Sequence, residues 1–152
     1  MRFLRLLLAL LVFSVTLMAA DSPFSGTWKF DPTKGNLTPP IPKSVVAHID
    51  ANDTDFKFKQ EGVDAKDQPW NVSYEAKFDG KPYPVTGDPS SDSVVLKRIN
   101  QREAKFTNKK SGKVVSVTDV VISKDGKTAT VNYTDYDSAG KATKGVAIYQ
   151  KE

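Results

Sequence analysis

The sequence predicts an all-β protein: a single antiparallel up-and-down meander of about nine strands that closes into a barrel. Three observations predict it. First, five β-rich runs, 93–99, 102–108, 113–123, 127–136 and 144–150, follow one another at roughly ten-residue spacing. Second, the runs are separated by Ile99-Asn100-Gln101, Ser111-Gly112-Lys113, Asp125-Gly126-Lys127 and Ala139-Gly140-Lys141. Gly adopts positive φ without steric cost, and Asn or Asp beside it tolerates the same region, so these are hairpin turns. Third, Trp70, Val72, Tyr74, Ala76 and Phe78 alternate without exception with Asn71, Ser73, Glu75 and Lys77, as a strand with one dry and one wet face must. A meander has two open edges unless it closes on itself.

The first twenty residues stand apart from this pattern. Arg2 and Arg5 precede an uncharged run, 6–20, that ends in Ala19-Ala20. A basic start, a short apolar run and a small-residue exit describe a secretory signal, and the run falls short of the ~20 residues of a spanning helix. The expectation is a signal peptide over 1–20 and one barrel domain over 21–152, secreted or periplasmic, with no membrane attachment after cleavage. Loss of Arg2 and Arg5 takes the formal charge from +4 to +2, too small an excess to predict a nucleic-acid partner.

The first strand of the domain is Phe24-Ser25-Gly26-Thr27-Trp28-Lys29-Phe30, with Phe24, Gly26, Trp28 and Phe30 on one face. Gly26-Thr27-Trp28 on a first strand followed by a β-meander resembles the calycins, the lipocalins and fatty-acid-binding proteins, and most of all small secreted bacterial lipocalin-like proteins. The resemblance covers residues 21–152 in pattern and rests on Gly26, Trp28 and Tyr149. It implies a lipocalin-like barrel closed at one end by Trp28, with Gly26 allowing close backbone approach. Residues 31–43, with four prolines, are expected to form a first loop that covers or flanks the barrel mouth and not a central strand.

The second strand is expected at 44–51. His48, the one histidine, has no visible partner there and reads as an ordinary strand residue. Asp50, Asn52 and Glu61 fall at calcium-loop positions, but Asp55 stands where that loop needs Gly, so a polar Asn52-Asp53 hairpin turn is expected instead. Phe56 and Phe58 share one face of the next strand and Lys57 and Lys59 the other. Residues 79–92 hold Pro82, Pro84 and Pro89 and read as a long loop, the expected lid of the barrel. The basic run Lys97, Arg98, Arg102, Lys105, Lys109, Lys110 and Lys113 reads as a solvated sheet surface that discourages edge pairing.

Composition limits the chemistry. Without cysteine there is no disulfide, thiolate metal site or thiol nucleophile, and a single histidine removes most hydrolase arrangements. No Gly-rich phosphate loop occurs. The expectation is therefore a non-enzymatic protein without metal or cofactor. It would bind a small hydrophobic or amphipathic ligand inside the barrel; the alternative is a secreted interaction module whose barrel is filled by side chains. The expected pocket lining is Phe56, Phe58, Trp70, Tyr74, Phe78, Ile148 and Tyr149. In fatty-acid-binding proteins an Arg-x-Tyr pair on the last strand holds the ligand carboxylate; here Tyr149 matches the Tyr, but Ala147 stands in place of the Arg. A free carboxylate would lack its charged partner, so the resemblance with this departure implies a neutral or weakly polar ligand.

Overall fold

The structure, a computed structural model, describes residues 21–152; the expected signal segment lies outside the described residues. Ten strands form one antiparallel sheet: β1 (Gly26–Asn36), β2 (Ser44–Ala51), β3 (Asp55–Val63), β4 (Pro69–Lys77), β5 (Pro82–Pro84), β6 (Ser93–Asn100), β7 (Glu103–Lys110), β8 (Lys113–Ile122), β9 (Thr128–Tyr136) and β10 (Ala142–Lys151). The order is β4-β3-β2-β1-β10-β9-β8-β7-β6-β5. Among the described residues the first strand pairs with the last, Trp28 opposite Lys151 and Phe30 opposite Tyr149, so β1 and β10 lie side by side in the middle of the sheet. The sheet's own ends, β4 and β5, face each other across a seam. There Ser73 and Thr86 exchange two backbone hydrogen bonds of 2.9 Å. The result is a nearly closed barrel.

The turns form where short polar side chains can hold the chain's own amides. Asn52 Oδ1 accepts from the amides of Thr54 and Asp55, which fixes the β2–β3 hairpin. The segment from Asp50 to Glu61 is thus a hairpin, with Asp50 and Glu61 on its two strands. Asp125 Oδ1 accepts from the Lys127 amide, and Asp137 Oδ1 from the amides of Ala139 and Lys141. Ser111 and Gly112 both take positive φ, 50° and 79°, as a two-residue primed turn requires.

Two segments depart from the expected pattern. β1 does not stop at Phe30; it shifts register over the next residues and pairs again at Gly35–Ala147 and Asn36–Val146. The proline does not prevent this, because Pro32 falls within the irregular stretch where no ladder bond is needed. A Cβ at Gly35 would meet the Val146 carbonyl oxygen, so glycine is what lets the backbones re-join. The expected lid, 79–92, contains the tenth strand: Pro82, Tyr83 and Pro84 pair with Val95, Val94 and Ser93. As the terminal strand of the sheet, β5 can carry two prolines, because it has a ladder on its β6 side only.

Inward faces follow the two-residue period. Trp28, Ala47, Phe56, Ala76, Leu96, Ala104, Ile122 and Ala129 are buried together with Phe24 and Val94. Alanines stand beside aromatics on neighbouring strands, Ala47 opposite Trp28 and Ala76 opposite Phe56, which makes room for bulky rings in a narrow barrel. Burying each large side chain contributes about 1.5–3 kcal/mol before chain entropy is counted. A smaller cluster of Phe30, Val45 and Ala147 lies toward the other end, with Trp70 and Tyr133 packed on it.

Candidate functional site

The two barrel ends differ. At one end the β2–β3 turn, the start of β1 and the ends of β4, β6 and β10 converge. The buried Trp28 donates from Nε1 to the Phe24 carbonyl at 2.8 Å. Lys151 Nζ lies 5.2 Å from the Trp28 ring centroid, and a Cβ at Gly26 would come within 2.5 Å of the Lys151 side chain. Glycine at 26 therefore makes room for the lysine stem that covers the tryptophan. Arg98 follows Val94 and Leu96 on the inner face of β6 and turns inward, away from the basic surface to which the sequence assigned it. Its guanidinium sits 4.1 Å from the Phe78 ring centroid, and Nη2 donates to the Asn52 carbonyl at 2.7 Å. Burial lowers its pKa. The cation thus ties β6 to the β2–β3 turn and seals this end.

The opposite end is a mouth. Residues 37–42 cross it and line an open hollow of about 600 Å³ together with Phe30, Tyr133 and Tyr149. Thr38 pins the crossing: its amide donates to Tyr133 Oη, and its hydroxyl to the Lys144 carbonyl, both at 3.2 Å. Tyr133 itself lies against Gly145, its cross-strand partner, where any side chain would collide with the ring.

Between the two ends lies a cavity of about 300 Å³, at the lower end of the range for small-molecule pockets. Phe24, Trp28, Phe56 and Ile122 bound it on the sealed side. Phe58 and Tyr74 stack along one wall, centroids 4.8 Å apart, and Phe106 and Val120 stand on the wall from β7 and β8. Polar groups lie on the mouth side: Gln60, Tyr149, Asn108, Asp88 and Ser91. Gln60 Nε2 donates to Tyr149 Oη at 3.3 Å. Burial pushes the Tyr149 phenol up to about 12 against that hydrogen bond, and burial likewise raises Tyr74, so both are neutral donors at physiological pH.

Asp88 is organised by its own loop. Its Oδ1 accepts the Ser90 amide at 2.8 Å and the Ser90 hydroxyl at 2.6 Å, and Oδ2 accepts the hydroxyl of the buried Ser91. Partial burial by itself raises the Asp88 pKa, but the bonds from Ser90 and Ser91 outweigh it and hold the carboxyl below the usual range.

Of the seven residues expected to line a pocket, Phe56, Phe58, Tyr74 and Tyr149 meet around the cavity. Trp70 packs instead with Phe30, Val45 and Ala147 near the mouth. Phe78 lies beyond β4, its centroid 5.5 Å from that of Phe56, in the sealed end. Ile148 is a correction: it alternates with Ala147 and Tyr149 and faces outward, opposite Thr130. The lining residues missed by sequence reasoning include the polar Gln60, Asp88, Ser91 and Asn108, the β7–β9 wall, and Ala47, Ile49, Val72 and Val85. The inward parity of Gln60 and Asn108 is legible on β3 and β7, but which strands face each other is not, and Asp88 and Ser91 lie in the loop between β5 and β6.

His48 lies on the outer face of β2, with Nδ1 3.2 Å from Thr27 Oγ1. Of the remaining basic run, Lys105 pairs with Asp119 at 3.4 Å across β7–β8, and Lys113 donates to the Ser138 carbonyl at 3.3 Å. No family model matches the chain, and no curated protein matches it in sequence.

Proposed function

We propose that the protein is an exported, non-enzymatic binding protein that holds one small apolar or amphipathic molecule inside its barrel. The observation that supports this most is the graded cavity: aromatic and aliphatic toward Trp28, polar toward the mouth. Such grading suits a molecule with an apolar body and one polar end. Flat walls from Phe58 and Tyr74 give contact area, and Tyr149 and Gln60 give orientation. The sealed Trp28 end and the covered mouth are in keeping with a calycin-type carrier, the kinship that Gly26, Trp28 and Tyr149 suggest. Export rests on the signal-like pattern of residues 1–20.

The alternative is an interaction module with a side-chain-filled barrel. Its support is the packed end, where Phe24, Phe78 and Phe106 surround Phe56 with centroids 5.3–6.3 Å away. Native mass spectrometry of protein purified from its own host separates the two. A carrier retains a small molecule at unit stoichiometry that is released on denaturation; an empty barrel under gentle ionisation, with no mass gained from a metabolite extract, supports the module.

A further inference from the structure

We infer that the molecule held in the barrel carries a cationic amine, seated on Asp88 at the mouth side of the cavity with its apolar body toward Trp28 and Phe56. This rests on the carrier reading and deepens it. Asp88 is the one carboxylate among the residues that line the cavity, and no lysine, arginine or histidine stands among them. The charge balance of an occupied site is therefore left to the occupant. In a largely apolar enclosure the interaction of opposite charges is strengthened, and that of like charges opposed, more than in water.

The carboxylate is held for recognition. Ser90 occupies Oδ1 twice and Ser91 occupies Oδ2 once, so an acceptor position remains on Oδ2. Those bonds also keep Asp88 ionised at neutral pH. An ammonium group adds a charge-assisted hydrogen bond there, and Asn108 is a further acceptor among the lining residues. A ligand carboxylate at the same place would face like charge with no cation to offset it. An asparagine Oδ1 would still accept both Ser90 bonds, so the turn can form without the charge, at the cost of the Ser91 bond to Oδ2.

The test compares octylamine, octanol and octanoate, which share one apolar body, as competitors of bound N-phenylnaphthylamine in the full domain. Octylamine is expected to displace the probe at concentrations lower than octanol by about tenfold, with octanoate weakest. Asp88→Asn is expected to bring octylamine and octanol level, and Asp88→Glu to restore the difference. If Asp88→Asn does not fold, the order of the three competitors on the wild type decides. Probe binding with equal displacement by all three, or with octanoate strongest, overturns the amine assignment and leaves the carrier reading standing. Absence of binding by the probe and by all three overturns the carrier reading itself.

Discussion

Phe58 and Tyr74 are direct cross-strand partners on β3 and β4, and their rings stack with centroids 4.8 Å apart and planes 22° from parallel. The pair fixes the register of the strand hairpin that forms one cavity wall. A one-residue slip of β4 against β3 would carry Tyr74 to the solvent side and break the stack.

Tyr74→Asp should therefore abolish cooperative unfolding or lower stability by about 3 kcal/mol or more, because it sets an unpaired carboxylate among apolar groups. Ser73→Asp lies on the outer face opposite Lys59 and should stay within about 0.5 kcal/mol of the parent. Thermal unfolding followed by near-ultraviolet circular dichroism measures both. Equal midpoints would contradict the assigned faces.

The seam yields the second prediction. Gly87 has φ of 87°, and a Cβ there would collide with the Asn71 carbonyl oxygen, next to the one bridge that joins β4 to the far side. Gly87→Ala should lower stability by about 1–3 kcal/mol and open the seam. Hydrogen exchange should show the Ser73 and Thr86 amides losing protection before those of the β9–β10 ladder. A variant as stable as the parent would show that the seam does not depend on this close approach.

Much of this architecture is legible in the sequence. The later meander is written in its Asn, Asp and Gly turns, and β4 in its unbroken alternation. The continuation of β1 past Pro32 is not, because a proline counts against a strand until a bulge is known to exempt it. Nor is β5, since Pro82-Tyr83-Pro84 reads as a loop unless the segment is known to end the sheet. The last strand shows a different limit. Val146, Ala147, Ile148 and Tyr149 are all apolar, so the two-residue period cannot choose a face, and neighbours such as Ile148 and Tyr149 cannot share one. Arg98 was hidden by its charge, although its parity with Val94 and Leu96 pointed inward. Asp88 sits in an Asp-Pro-Ser-Ser turn and acquires a place in the cavity only through closure.

The third prediction concerns pH. Asp88 has its carboxyl pKa lowered in the folded state, so it contributes stability that is full above its ordinary value of 3.8 and is lost as pH falls through the folded value. Asp31, Asp55, Asp79 and Asp125 share that sign. The informative quantity is thus the difference between wild type and Asp88→Asn. The wild type should be the more stable at neutral pH, and the gap should close below about pH 4. A gap that is constant with pH would show that the carboxylate charge contributes nothing to the fold.

The most direct test of the central claim, a ligand cavity between the sealed end and the mouth, is a fluorescence titration with N-phenylnaphthylamine. It compares the wild type with Thr118→Phe and Ile148→Phe. Thr118 lines the cavity and Ile148 faces outward. The account predicts saturable binding at one site in the wild type and in Ile148→Phe, and at least about a tenfold loss in Thr118→Phe while its near-ultraviolet spectrum stays native. No binding by the wild type, or equal binding by all three, would contradict it.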